Sequence, residues 1–296
     1  MQVMPRRGCA VVSRLPGIVL LVLVQGLAGC GDSGSSSAPS APSPVAQGGP
    51  TPPALPTASV SRIWGYVLDT AFRPIADARV EVVDGSYAGL STTTDAAGRF
   101  ELAGTFDHTT RFRAAKEGHV AATQAWECSG VSCGAGDATP WLGFYLAVLA
   151  PNVDIAGDYT LTVIADSACP DLPNEVRTRT YAATITPQSR PDLPANAGFD
   201  VTLSGATFLD RLDRFGIGVA GDVLGFWLHG GHDPSFVEQV EAGTYLAFSG
   251  SAAASVPASG VSTISASFEG WIEYYGAAVV RAHCESKDHR LILTRR

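Results

Sequence analysis

The sequence predicts an all-β protein, with a small antiparallel β-sandwich followed by a larger antiparallel β-barrel or β-sandwich of about eight strands. Short runs rich in Thr, Val, Tyr and Phe recur between Gly, Pro, Asn and Asp, as expected of strands joined by turns. No stretch keeps the i, i+3, i+4, i+7 apolar spacing of an amphipathic helix. About 240 residues follow a low-complexity segment, which is enough chain for two domains of ordinary size.

Residues 1–29 have the features of a secretory signal peptide. Three arginines and no acidic residue accompany an apolar run from Leu15 to Ala28, and two glycines, a proline and a glutamine interrupt that run. A membrane-spanning helix needs roughly 20 apolar residues, so a transmembrane segment is the weaker interpretation. We therefore expect export of the chain and removal of residues 1–29.

The apolar run ends in the sequence Leu27-Ala28-Gly29-Cys30, which resembles the lipobox of bacterial lipoproteins. The resemblance implies cleavage before Cys30 and lipidation of its thiol, and two or more acyl chains are enough for stable membrane anchoring. Ordinary cleavage nearby, with Cys30 left as a spare thiol, is the alternative. By analogy with lipoproteins, Gly31 in place of Asp favours the outer membrane, which places the protein at the cell envelope.

Residues 30–59 are predicted to be a disordered tether. After Cys30 the segment is almost entirely Gly, Ser, Ala and Pro, with a single charge at Asp32. Such a chain reaches on the order of 90 Å. Without residues 1–29 the chain keeps 17 Lys and Arg against 28 Asp and Glu, a formal charge of −11, which argues against nucleic acid and anionic lipid as partners.

Residues 60–150 are predicted to form the first folded domain. Residues 63–69 and 78–82 alternate as half-buried strands, and residues 92–102 form a hairpin whose turn begins at Asp95 and uses Gly98 for positive φ.

These segments resemble the carboxypeptidase regulatory-like domain, a small β-sandwich of prealbumin type, in the patterns G-x-V-x-D, P-I-x-x-A-x-V-x-V, T-x-x-D-x-x-G-x-F-x-L and K-x-G-Y. His119 stands where this family usually has Tyr. The resemblance implies an accessory module without catalytic residues. Zinc-peptidase and serine-hydrolase motifs are also absent from the sequence. The matching residues are Gly65, Val67, Asp69, Pro74, Ile75, Ala78, Val80, Val82, Thr92, Asp95, Gly98, Phe100, Leu102, Lys116 and Gly118.

Four cysteines are expected to form two disulfide bonds in the exported chain. Cys128 and Cys133 close a small Gly/Ser loop, where zinc binding or a reduced pair are the alternatives. Cys169 and Cys284 lie in the first and last strand regions of the second domain, residues 152–296. A bond between them would close a loop of about 115 residues and stabilise the domain by roughly 4 to 5 kcal/mol.

The second domain contains the candidate ligand-binding residues. It begins with a Gly-x-aromatic motif at Gly157 and has a Cys near each end, a weak similarity to lipocalins. Its aromatic side chains supply a surface for an unknown protein, a glycan or a small apolar ligand, although a barrel core needs the same residues. The candidates are Trp227, Tyr245, Trp271 and Tyr274.

Two acidic residues beside Trp271 raise the question of catalysis. Glu269 and Glu273 alternate with aromatic residues on one strand face, but residues four apart on a strand are about 13 Å apart, too far for a glycosidase pair. Glycan binding remains an alternative to a plain outer face. Residues 287–289 are expected to form a turn rather than a proton relay.

The loop of His229, His232 and Asp233 is a weak candidate metal site for zinc or copper. Ordinary exposed loop histidines are more common, so no cofactor is expected. The sequence thus predicts a membrane-anchored lipoprotein that acts as a non-catalytic binding or structural module. A metal-dependent enzyme that uses this loop is the alternative.

Overall fold

The computed structural model is all-β, as the sequence predicts, apart from one 3-10 turn among the described residues, at Asn174–Val176. It describes residues 59–126, 141–230, 233–234, 236–257, 262–276 and 279–296. The predicted signal peptide, Cys30, the tether, Cys128, Cys133 and His232 lie outside these residues. In the part of the chain that is described, no helix has the length and apolarity needed to cross a membrane.

The first seven strands form two small sheets with one shared core, here called the sandwich. The sheets have the strand orders β4-β1-β7 and β3-β2-β5-β6. Inward residues of both sheets pack together, among them Ile63, Val80, Phe100 and Phe112. The strands are β1 (Ser59–Asp69), β2 (Arg79–Val82), β3 (Ser91–Thr93), β4 (Arg99–Asp107), β5 (Arg111–Ala115), β6 (Ala122–Ala125) and β7 (Trp141–Leu146).

One pairing in the sandwich departs from the predicted antiparallel arrangement. Strand β7 runs parallel to β1, with Trp64 opposite Trp141 and Asp69 opposite Leu146. The chain reaches β7 from β6, which belongs to the other sheet. A crossover between sheets brings a strand back in either direction, whereas a tight hairpin enforces antiparallel pairing.

The remaining strands form a closed antiparallel barrel of eight positions. Except from β12 to β15, each strand pairs with the next along the chain, and β18 pairs with β8 to close the sheet. The sequence allowed either a barrel or a sandwich in this region. The β8–β18 pair shows that it is a barrel. The main strands are β8 (Gly157–Ile164), β9 (Thr178–Pro187), β10 (Gly198–Ser204), β11 (Phe208–Ala220), β12 (Val223–Trp227), β15 (Phe236–Glu241), β16 (Thr244–Ser255), β17 (Thr263–Gly276) and β18 (Val279–Arg295).

One barrel position is divided between two strands. Strands β12 and β15 both pair with β11 and β16, in the same direction, and together fill this position. The short hairpin of β13 (His229–Gly230) and β14 (Asp233–Pro234) interrupts them and contacts β16. The weak metal candidates His229 and Asp233 belong to this hairpin, and their side chains lie outside the described part of the structure.

Alternating side chains fill the barrel interior, as Tyr159, Leu161 and Val163 do on β8. A disulfide bond joins Cys169, in the β8–β9 connection, to Cys284 on β18 across 115 residues, with their Cα atoms 5.7 Å apart. The bond therefore ties the first part of the barrel to its last strand.

A row of glycines on the outer wall of the barrel receives the loop that follows β1. Gly198, Gly218 and Gly225 stand in register on β10, β11 and β12. A Cβ atom at Gly218 would lie 1.9 Å from the carbonyl oxygen of Thr70, and one at Gly225 would lie 2.1 Å from that of Ala71. Only glycine permits this approach of two backbones. We call the contact of Thr70 and Ala71 with Gly218 and Gly225 the seam.

Candidate functional site

The outward face of β1 carries two aromatic side chains. Ile63 and Val67 point into the sandwich core with no exposed surface, so the alternation of the strand turns Trp64 and Tyr66 outward. Trp64 is 44% exposed. The ring of Tyr66 lies against Gly143 on β7, where a Cβ atom would be 3.0 Å from it.

Aromatic rings continue from Tyr66 across the seam to the barrel. The Tyr66 and Tyr145 rings are 6.1 Å apart at 76°, and their hydroxyl oxygens are 3.0 Å apart. Tyr145 and Phe72 are also 6.1 Å apart, at 89°. Phe72 then meets Trp227 of β12 at 5.4 Å and 45°. We call Trp64, Tyr66, Tyr145, Phe72 and Trp227 the aromatic track.

A capped turn holds Phe72 in place. The buried carboxylate of Asp69 accepts hydrogen bonds from the N–H groups of Ala71 and Arg73, each at 2.9 Å, and pairs with the Arg73 guanidinium at 2.7 Å. Phe72 has a φ of 65°, a conformation that costs a bulky residue on the order of 1 to 3 kcal/mol. The turn thus forces the Phe72 ring into the seam.

The loop is also bonded directly to the barrel. The Thr70 hydroxyl donates a hydrogen bond to the carbonyl oxygen of Val219, and Thr70 and Ala71 are buried. A second link lies at the β11–β12 turn, where Gly221 donates to the side-chain oxygen of Asn152 at 2.9 Å. The Thr70 bond therefore fixes the sandwich to the barrel, and the Asn152 bond fixes the segment that connects the two.

A small cleft opens beside the track at the seam. It has a volume of about 100 Å³, with two aromatic side chains on the sandwich side and apolar, polar and glycine residues on the barrel side. Its lining residues are Thr70, Phe72, Tyr145, Gln188, Arg190, Leu193, Ala197, Gly198, Gly216, Ile217 and Gly218. Clefts between folded units are common ligand sites.

The polar groups of this region are already partnered. Arg190 pairs with Asp192 at 2.6 Å, and the side-chain amide of Gln188 donates to Asp200 at 2.7 Å. Burial, together with the hydrogen bond to Tyr145, raises the pKa of Tyr66 above its ordinary value. The Tyr66 phenol is therefore neutral at physiological pH and offers hydrogen bonds rather than charge.

The structure divides the predicted ligand-binding residues among different surfaces. Trp227 is 43% exposed and ends the aromatic track. Trp271 lies on β17 with its ring 6.2 Å from that of His283, and Tyr245 on β16 stacks on Tyr275 at 5.4 Å. Tyr274 packs partly against the barrel core. These four residues therefore do not form one pocket.

The sequence analysis missed four members of the track. Trp64 and Tyr66 carried a usable signal, because they alternate with the apolar core residues of β1. No sequence pattern marked Phe72 and Tyr145, because only the crossover to β7 and the docked loop bring them together.

One group in the described residues has metal-ligand chemistry. Atoms of Cys169, Cys284 and His289 lie within 4.8 Å of one another, but the two sulfurs are bonded to each other and offer no thiolate. His289 is fully buried, and its Nδ1 accepts the N–H of Asp166 at 3.0 Å. Burial lowers the pKa of His289, which keeps it neutral. The turn expected at residues 287–289 was wrong, since they lie within β18 beside a register shift.

Another buried charge lies inside the barrel. Glu238 is 2% exposed, and both of its carboxylate oxygens accept hydrogen bonds from Arg179, while Tyr181 donates at 2.8 Å. Burial and the neighbouring Glu238 raise the pKa of Tyr181. Because Arg179 and Tyr181 satisfy the Glu238 carboxylate, we assign these three residues to the packed interior of the barrel.

Comparison with known families supports the predicted sandwich. Residues 62–142 match the carboxypeptidase regulatory-like domain, which is typically a non-catalytic module. The match contains Trp64, Tyr66 and Phe72, whereas Tyr145 and Trp227 lie beyond it. No curated protein matches the chain.

Proposed function

We propose that this protein is a lipid-anchored, non-catalytic binding protein of the cell envelope, in which sandwich and barrel bind one ligand together. The observation that carries the proposal is the aromatic track, which crosses the seam and has an exposed Trp at each end. Exposed Trp and Tyr side chains offer large, rigid contact areas at low cost in conformational entropy.

The seam supports a joint site. The glycine row and the Thr70 hydrogen bond hold the two halves of the track in one arrangement before a ligand arrives. Preorganisation of this kind raises affinity because little freedom is lost on binding.

The chemistry of the track supports binding without catalysis. The residues that line the cleft include no Ser, Cys or His, and their one side-chain hydroxyl besides Tyr145 belongs to Thr70, which is engaged with Val219. A nucleophilic mechanism needs such a group beside a base. The described lining places no His, Asp, Glu or Lys beside either hydroxyl to serve as that base.

The N-terminal sequence supports the anchor at the envelope. The signal-peptide features, the lipobox resemblance at Cys30 and the tether would place the folded part well clear of an outer membrane. Replacing Cys30 tests this directly: Cys30→Ser should abolish incorporation of labelled fatty acid and release the protein from the membrane fraction. Continued membrane association of the variant would rule out the anchor.

Ligand titrations test the binding surface. With the Cys30→Ser protein, Trp fluorescence should respond to at least one member of a panel of glycans, peptides and apolar probes. Trp64→Ala and Trp227→Ala should each weaken that response at least tenfold without lowering the melting temperature, because both side chains are exposed. Trp271→Ala is the matched control on another part of the barrel. If only this control weakens binding, the site lies elsewhere.

A further inference from the structure

We infer that the ligand of the aromatic track is a single extended chain of a neutral polysaccharide, bound across the seam to both sandwich and barrel. This inference rests on the proposed binding function and adds the chemical class of the ligand.

The backbone at the two ends of the track is not open to a peptide strand. Strand β1, which carries Trp64 and Tyr66, pairs with β4 on one side and β7 on the other. Strand β12, which carries Trp227, lies between β11 and β16. Peptides that add to a sheet need a free edge, which β7 with Tyr145 offers but β1 and β12 do not. At Trp64 and Trp227 the track therefore recognises its ligand through side chains.

The ring angles favour one twisting chain. Successive rings of Tyr66, Tyr145 and Phe72 are nearly perpendicular, at 76° and 89°, and therefore do not form a flat platform for a layered or crystalline ligand. The track is also a single row of rings, too narrow for the apolar face of a helix. Sugar rings have apolar C–H faces and polar edges, which match aromatic faces bordered by hydroxyl and amide groups.

The charges beside the track favour a neutral ligand. Arg62 pairs with Glu101 at 3.1 Å, Arg73 with Asp69 at 2.7 Å and Arg190 with Asp192 at 2.6 Å. These cations already have carboxylate partners, so an anionic polymer would have to displace them. The excess of acidic residues in the whole chain opposes an anionic polymer further.

The length of the track requires an oligomer. Tyr145 stands beside Leu68, so the distance along β1 from Trp64 to this level is about 13 Å. Phe72 and Trp227 then extend the row by ring steps of 6.1 and 5.4 Å. The cleft at the seam, at about 100 Å³, accepts a substituent of a sugar rather than a whole sugar ring. A monosaccharide would therefore contact only one part of the row.

Calorimetric titration of the full Cys30→Ser chain tests the inference. The probes are cellohexaose, chitohexaose and maltohexaose, the corresponding disaccharides, polygalacturonate as an anionic polymer, and a proline-rich decapeptide. We expect at least one neutral hexasaccharide to bind 100-fold or more tightly than its disaccharide. Trp64→Ala and Trp227→Ala should each weaken hexasaccharide binding at least tenfold, because the two residues hold opposite ends of the chain. Trp271→Ala should leave it unchanged.

The outcomes separate this inference from the proposed function. Equal affinity for hexasaccharide and disaccharide, or tighter binding of polygalacturonate, overturns the neutral extended chain. Binding of the decapeptide that depends on Trp64, with no glycan binding, also overturns it, yet leaves the track a binding site. If no probe gives a signal that depends on Trp64 or Trp227, the proposed function itself fails.

Discussion

The sandwich and the barrel bury one face of a β-sheet in different ways. The barrel closes its sheet upon itself through the β8–β18 pair, and a disulfide bond lies close to that closure. The sandwich keeps two open sheets, and side-chain caps fix its turns. The Thr94 hydroxyl, for example, donates to Ile75 at 2.6 Å and accepts from Ala78 at 2.9 Å.

This difference explains where the candidate site lies. The outer face of the open sheet carries Trp64 and Tyr66 on the strand that leads into the docked loop. The barrel contributes a wall in which glycines replace side chains, so that a loop of the sandwich can rest on the backbone. The sandwich thus supplies most of the contact surface, and the barrel supplies a rigid support and one Trp.

The largest expected effect concerns barrel closure. Replacing Cys169 and Cys284 together by Ser should lower the free energy of unfolding of the barrel by about 4 kcal/mol, because a loop of 115 residues is released in the unfolded chain. Hydrogen exchange in urea should locate the loss in β8 and β18 and leave β1 and β4 protected. A loss below about 1 kcal/mol would show that sheet pairing alone holds the barrel ends.

The next effect separates the two halves at the seam. Gly218→Ala should destabilise the protein by about 2 to 3 kcal/mol, since its Cβ would collide with the Thr70 carbonyl. It should also speed proteolysis between sandwich and barrel. Gly216→Ala, two residues away on the same strand, is the control, because nothing lies within 4 Å of its Cβ position. Equal behaviour of the two variants would mean that the docked loop is not tightly held.

A smaller effect compares two similar turns of the sandwich. Asp69→Ala should cost about 2 to 3 kcal/mol, because the buried N–H of Ala71 and the N–H and guanidinium of Arg73 lose their acceptor. Asp95 caps the N–H groups of Ala97 and Arg99 in the same way, but it is exposed, so Asp95→Ala should cost only about 1 kcal/mol.

Only the Asp69 variant should also alter ligand binding, since its turn positions Phe72 in the track. Fluorescence titration of both variants checks this. An equal loss of binding in the two would point to general loosening of the sandwich.

The smallest effect is a pH dependence of the barrel. Burial lowers the pKa of His289 in the folded state, against an opposing effect of the nearby Asp166. Below about pH 6.5 the unfolded chain binds a proton that the folded chain does not, so stability should be full above that pH and fall as pH decreases.

Denaturant titrations between pH 7.5 and 5 measure this slope. His289→Phe should flatten the slope without changing the behaviour of the sandwich. Hydrogen bonds lower the pKa values of Asp84 and Asp107, so these carboxylates stabilise the fold throughout this pH range and lose that contribution only below about pH 4. If stability depends on pH just as steeply in the His289→Phe variant, other groups cause the dependence.

The sequence by itself determined the local structure of the protein. Alternation of apolar residues predicted β1 and β2, and turn chemistry predicted the turn from Asp95 to Gly98, because both depend on residues close in sequence. The hairpin expected at residues 92–102 was wrong, since β3 and β4 on either side of this turn belong to different sheets. The resemblance to the carboxypeptidase regulatory-like domain is confirmed for residues 62–142. The cysteine positions similarly indicated the bond between Cys169 and Cys284.

The tertiary structure alone decided the closure of the barrel, the parallel β1–β7 pair and the aromatic track. Tyr66 and Tyr145 are 79 residues apart in sequence, and Phe72 and Trp227 are further apart still. Their contacts exist because a strand crosses between sheets and a loop settles on Gly218 and Gly225. Such long-range pairings depend on how whole sheets pack, which the residue pattern within each strand does not specify.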